Sequence, residues 1–240
     1  MKSKIALFLT SFIVLFFIFS PKGVLADAWY YPMDRLQERS SLKGFGQFID
    51  QQFYVGKENL FPSKFYGYHT GIDLEIFPEE SNENVSVFAI SSGIISFAGH
   101  VSGYGGVILE KLDGENLTAL YGHLKLKSIN LKVGDRVNAG DQLSLLGDAF
   151  TSETDGERKH LHFGIYKDGG LYFKGYEQTR QQLETKWLDP VEFLKTRVFV
   201  SPSPEKITPT PSPTSEVEPA KKTSIFAFLL NLLRKIFGLN

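Results

Sequence analysis

Five histidines and no cysteine occur in the 240 residues, and four of those histidines stand in three short motifs. "YHTGIDLE" sets His69 and Asp73 on either side of Gly71, "LTALYGHL" carries His123, and "KHLHFGIY" holds His160 and His162. Imidazoles and carboxylates bind divalent metals and exchange protons near neutral pH. With no thiol in the chain, disulfide scaffolds and thiolate zinc sites are excluded, so any metal must rest on imidazole and carboxylate donors.

The spacings constrain how these groups meet. On a helix His69 and Asp73 would be neighbours, yet Thr70, Gly71 and Ile72 are poor helix formers and no capped amphipathic segment surrounds them. On a straight strand their α-carbons would be ~13 Å apart. A bend at Gly71, the residue freest to supply an unusual backbone, would let the imidazole and the carboxylate converge on a metal at ~2.0 to 2.2 Å. Taken alone, the pair better suits a turn in which Asp73 caps local amides. The third motif changes that reading. Alternation along a strand sends His160 and His162 to one face and Leu161, Phe163 and Ile165 to the other. The apolar set can enter a core, which leaves two imidazoles side by side in a cleft. The spacing permits both as ligands, or one as a ligand and its neighbour as a proton-transfer group.

The elements that must position these groups read as β-strands. The short apolar runs "VSVFAI", "GIISFAG", "GGVILEKL", "ALYGHL", "QLSLLG" and "HLHFGIY" are separated by glycine or by Asp-Gly pairs such as Asp113-Gly114 and Asp168-Gly169. Helical signals are scarce; the best is "LDPVEFLK", where Asp189 can cap and Pro190 fits the first turn. Short strands joined by tight turns imply antiparallel sheets in a sandwich or irregular barrel. His100 falls in "GHVSGYGG" and reads as a loop residue, while Tyr104 and Tyr121 suit half-buried packing or the lining of a groove.

In this order, "HTGIDL", "LYGHL" and "HLHF" resemble the three motifs of the lysostaphin-type (LytM-like) zinc murein endopeptidase family. "GIISFAGHVSGYGGVILE", "LKVGDRVNAGDQLSLLG" and "WLDPVEFL" are similar to further parts of that family, so the likeness spans residues 43 to 195. The resemblance implies that His69, Asp73 and His162 bind Zn²⁺ and that His160 and His123 are the catalytic imidazoles. It also implies a mainly β fold of the duplicated hybrid motif type, an antiparallel open sandwich or irregular barrel with a groove across one sheet and short helices. Two departures stand out. A long charged segment, "DAFTSETDGERK" from Asp148 to Lys159, replaces the short Gly-Ser-Thr-Gly-type loop that borders the family's groove, and this bears on substrate preference. Gly164 replaces an acid after "HLHF" and is expected to face the core side or backbone rather than the metal. A zinc held by two imidazoles and one carboxylate keeps a fourth position for water and lowers its pKa to about 7. One of His160 and His123 would then accept a proton, with His160 preferred for its place beside a ligand, and the other would stabilise the oxyanion or protonate the leaving amine.

The two ends of the chain bear on location. Lys2 and Lys4 precede an apolar run from Ile5 to Phe19 and a break at Pro21, the form of an export signal with cleavage after Ala26; an uncleaved anchor is the alternative. A lead-in over residues 27–42 then precedes a peptidase domain over 43–200. Six of the eleven prolines lie between Pro202 and Pro219, so residues 201–222 read as an extended spacer. Residues 223–240 form an amphipathic pattern in which Ser224, Ala227, Asn231, Arg234, Lys235 and Gly238 line a narrow polar stripe. Such a helix suits a membrane interface or a docking face on a partner protein. A formal charge of −1 gives no bulk attraction to nucleic acid. A Gly-x-Ser-x-Gly elbow, a phosphate loop and a His-Glu zinc helix are all missing. The expectation is a secreted or envelope-associated zinc metalloendopeptidase acting on stem or cross-bridge peptides of peptidoglycan. The alternative is a non-catalytic wall-binding or amidase-activating module of the same fold. A lipoyl-carrier reading of Lys132-Val133-Gly134-Asp135 has no use for four clustered histidines.

Overall fold

The computed structural model describes residues 29–50, 66–197 and 199. The expected export signal, the Pro-rich spacer and the amphipathic C-terminal helix lie outside the described residues. In chain order the first strands are β1 (Phe48–Ile49), β2 (Gly67–His69), β3 (Gly71–Glu75), β4 (Ser86–Phe88), β5 (Gly93–Val101) and β6 (Gly105–Leu112). They are followed by β7 (Thr118–Leu124), β8 (Arg136–Val137), β9 (Gln142–Leu145), β10 (His160–Tyr166), β11 (Tyr176–Glu177), α1 (Arg180–Lys186), β12 (Trp187–Leu188) and α2 (Pro190–Lys195). All six apolar runs contain strands.

Among the described residues these strands pair antiparallel throughout, in a mainly β architecture. A seven-stranded sheet runs β12-β10-β7-β6-β5-β8, with β3 also paired to β10; β1-β2-β11 and β4-β9 form two smaller sheets. Because β7 pairs with His162–Tyr166 of β10, β3 and β12 share the opposite edge of that strand, one after the other. The large sheet is apolar on both faces. Ile108, Tyr121, Leu161, Phe163 and Ile165 enter the main core on one side, where Met33 from the segment before β1 also lies fully buried. On the other side Tyr104, Val107, Leu109, Leu120 and Trp187 form a second cluster. His160 and His162 alternate with Leu161 and Phe163, so they project on the side of this second cluster.

α2 forms as expected: Asp189 accepts hydrogen bonds from the Val191 and Glu192 amides, and Pro190 opens the first turn. α1 was not anticipated. Thr179 and Gln182 close a reciprocal capping box there, and Leu183 buries the helix against the second cluster. The signal is the Thr-x-x-Gln pattern, which a seven-residue helix with one buried apolar side chain makes easy to overlook.

Tyr121 is fully buried and does not line a groove. Its hydroxyl donates to Glu110 Oε2 at 2.5 Å and accepts from the Ile90 amide at 3.0 Å. Burial pushes the Glu110 carboxyl up from 4.5 to about 8, so the folded protein holds it protonated at neutral pH. Between those values the unfolded chain releases this proton and the folded protein retains it, so stability falls as pH rises through the window. Denaturant unfolding from pH 4 to 9 is expected to show this decline, and Glu110→Gln, which stays neutral throughout, is expected to remove it.

Candidate metal centre

His69 and Asp73 meet because the chain changes sheets between them. His69 ends β2 in the three-stranded sheet, and Asp73 lies in β3 of the seven-stranded one. The bend falls at Thr70, whose amide donates to the Gly175 carbonyl at 3.0 Å and whose hydroxyl donates to the Lys174 carbonyl at 2.8 Å. Gly71 is not the hinge the spacing suggested, for it lies in β3 and has no left-handed φ. Its missing side chain matters instead: a Cβ there would overlap the Phe163 carbonyl and stand 2.8 Å from His162 Nε2.

The β3–β10 register then sets His162 directly opposite Asp73, and His160 opposite Glu75. Opposed residues of an antiparallel pair share a face, so the donors converge. His69 Nε2 lies 3.0 Å from His162 Nδ1 and 3.2 Å from Asp73 Oδ1, and His162 Nδ1 lies 3.2 Å from Asp73 Oδ1. Among the described residues this trio is the group whose donors come close enough to hold a metal. The far side of each imidazole is engaged. His69 Nδ1 stands 3.1 Å from the Gly44 carbonyl, which can only accept, and His162 Nε2 stands 3.3 Å from the Tyr104 hydroxyl. With protons on those outer nitrogens, the inner nitrogens and the carboxylate oxygen present lone pairs to one another across a buried triangle. That arrangement is repulsive unless a cation sits among them. Its edges are close to the about 3.3 to 3.6 Å between ligands of a tetrahedral site with bonds of ~2.0 to 2.2 Å, so the residues fit a metal of that kind.

Burial and charge agree with this reading. Burial alone would raise the Asp73 carboxyl, but the His160, His69 and His162 imidazoles around it hold it well below its ordinary range. Burial drives the His162 imidazole down to about 4 against the upward pull of Asp73, which leaves it neutral and able to donate a lone pair.

The two remaining imidazoles stand beside the triangle. His160 Nδ1 donates to the Arg158 carbonyl at 2.8 Å, which leaves Nε2 bare at 3.4 Å from Asp73 Oδ2. His123 reaches the site from a β-bulge. Gly106 pairs with Leu124 and Val107 with Gly122, so His123 is the extra residue of β7, with φ of 63°. Its ring centroid lies 4.3 Å from that of His160, and its buried Nδ1 has no hydrogen-bond partner. Burial and the neighbouring His160 push its pKa well down, so it is neutral. Gly122 makes room for Tyr104, since a Cβ there would press into the tyrosine ring that reaches His162.

Asp73, His123, His160 and His162 line a cleft of about 250 Å³ together with Lys43, Glu157 and Tyr176. The sequence did not single out the Gly44 carbonyl, Lys43 or Glu157; only the folded chain brings Lys43 and Glu157 to the cleft and the Gly44 carbonyl to His69. Tyr104, one of the two tyrosines considered for a groove, does line it. The segment 148–159 reaches the same cleft through Glu157, and its Asp155 accepts the Gly103 amide at 3.0 Å. Gly164 lies on the face of β10 that carries His160 and His162, not on the main-core side, and its missing side chain makes room for Trp187. His100 lies at the exposed end of β5 rather than in the following turn, and it takes no part in the site.

Residues 67–173 match Peptidase family M23. Over 83 residues the chain is 35% identical to endolysin 2638A of Staphylococcus phage 2638A, an alignment that covers 35% of this chain and 16% of the endolysin. The catalytic domain of the antimicrobial peptidase lysostaphin from Staphylococcus simulans is 26% identical, with 67% of this chain and 95% of that one covered and a TM-score of 0.46. LytU is 24% identical, with 68% and 89% covered and a TM-score of 0.45. The M23 match contains all five residues of the site, from His69 to His162. Gly71→Ala is expected to cost about 1 to 3 kcal/mol in urea unfolding. It is also expected to weaken metal binding in a titration, because the added methyl group displaces His162.

Proposed function

We propose that this protein is a zinc metallopeptidase that hydrolyses peptide bonds in the stem or cross-bridge peptides of bacterial peptidoglycan, outside the cytoplasm. The observation that carries the proposal is the buried triangle of His69 Nε2, Asp73 Oδ1 and His162 Nδ1, with edges of 3.0 to 3.2 Å and both outer nitrogens engaged. The peptidase family and the phage endolysin similarity support the substrate class, and the expected export signal supports the location.

In this reading His69, Asp73 and His162 hold the Zn²⁺. The bound ion supplies Lewis acidity and an acidified water at neutral pH. His160 Nε2, kept bare because Nδ1 donates to the Arg158 carbonyl, is the general base. His123, neutral and with an unpartnered Nδ1, is placed to stabilise the developing oxyanion or to pass a proton to the departing amine. The buried walls keep bulk water from competing with these contacts.

The purified protein is expected to clear a suspension of cell walls, to lose that activity to a chelator and to recover it with zinc. His162→Ala is expected to abolish zinc binding, whereas His123→Ala keeps the metal and lowers kcat by about 10² to 10⁴. Equal metal loss in both variants would overturn the assignment of roles. Zinc binding by the wild type without turnover on any wall chemistry would favour a non-catalytic module.

A further inference from the structure

The outer oxygen of Asp73 is held by a group that belongs to neither the donor triangle nor the pair of free imidazoles. Arg158 Nη2 donates to Asp73 Oδ2 at 3.1 Å. The same guanidinium grips Glu75, with Nε donating to Oε2 at 2.9 Å and Nη2 to Oε1 at 2.5 Å. Its side chain is only 16% exposed, so the contacts are little screened. A planar fork is the one cationic side chain that can bond two carboxylates at fixed angles.

Glu75 stands two residues after Asp73 on β3, opposite His160, and so continues the face that carries Asp73. Arg158 lies in the irregular segment just ahead of β10, and its guanidinium reaches that face by its bonds to both carboxylates. Both residues arise outside the matched motif cores: Arg158 comes from the long charged segment before "HLHF", and Glu75 follows "HTGIDL".

We propose that Arg158, anchored by Glu75, is a positioning residue that fixes Asp73 as a one-oxygen metal ligand. With Oδ2 tied to the guanidinium, the carboxylate cannot swing to offer both oxygens or turn away, and Oδ1 stays aimed at His69 Nε2 and His162 Nδ1. The backbone of the same residue orients the neighbouring imidazole, since the Arg158 carbonyl accepts from His160 Nδ1 at 2.8 Å. One residue thus steadies both a ligand and the candidate base. The inference rests on the metal-site reading above.

The test uses the full chain stripped of metal, with Zn²⁺ titrated in competition with a chromophoric chelator, and circular dichroism to establish that each metal-free variant is folded. Arg158→Gln is expected to weaken Zn²⁺ affinity about 10- to 100-fold. Glu75→Gln, which leaves the guanidinium one firm anchor, weakens it less, and Arg158→Lys, which keeps the charge without the fork, recovers only part of the loss. A purely structural ion pair would lower the melting temperature of the metal-free protein and leave the affinity within threefold of wild type; that result overturns the proposal, as does full recovery by lysine. If Arg158→Gln does not fold, the same threefold criterion applied to Glu75→Gln decides. Failure of the wild type to bind Zn²⁺ would remove the metal site itself, whereas wild-type binding with unaffected variants would remove the clamp alone.

Discussion

The antiparallel pairing of β10 with β3 is the constraint on which the site depends. Its register places His162 against Asp73 and His160 against Glu75, so ligands and base share one face before any side chain adjusts. A slip of one residue would turn Leu161 and Phe163 into the cleft and the histidines into the main core. The burial of Leu161, Phe163 and Ile165 opposes that slip, since each of these side chains is fully buried and contributes on the order of 1.5 to 3 kcal/mol. The apolar half of the strand thereby enforces the geometry of its polar half.

Burying so many polar groups at one place is unfavourable unless each has a partner. Most do: Gly44 and Tyr104 engage the outer nitrogens of the ligand imidazoles, the Arg158 carbonyl engages His160, and the guanidinium engages Asp73. At the site, what remains unsatisfied is the inner face of the donor triangle, His123 Nδ1 and Glu157 Oε2. Asp73, His123, Glu157 and His162 all line the cleft. The left-handed backbone of His123 belongs to the same pattern, because the bulge that strains it also aims its ring at His160. At the site, strain and unpaired polarity fall where a metal and a substrate would compensate them.

Much of this was legible in the sequence because it depends on local periodicity. Alternation in "HLHFGIY" separates imidazoles from core residues, and glycine punctuation marks the strands. Asp189 and Pro190 announce α2. The parts that were not legible depend on long-range encounter. Nothing near Thr70 signals that Gly175 and Lys174, a hundred residues on, will pin a bend there, so the hinge was placed one residue late, at Gly71. The glycine was needed for the approach of the β10 backbone, and that requirement belongs to sheet pairing rather than to φ. The same alternation that sets His160 and His162 on one face places Glu75 beside Asp73, but Arg158, in the irregular segment ahead of β10, joins them only through the fold.

The central claim is that one metal ion is held by donors from β2, β3 and β10. A crystal structure of the protein grown with zinc, with anomalous scattering recorded on either side of the zinc edge, tests it most directly. The account predicts a single zinc peak at ~2.0 to 2.2 Å from His69 Nε2, Asp73 Oδ1 and His162 Nδ1, with His160 and His123 beside its open side. An anomalous map with no peak in the triangle, or with the three donors turned away from one another, would contradict it.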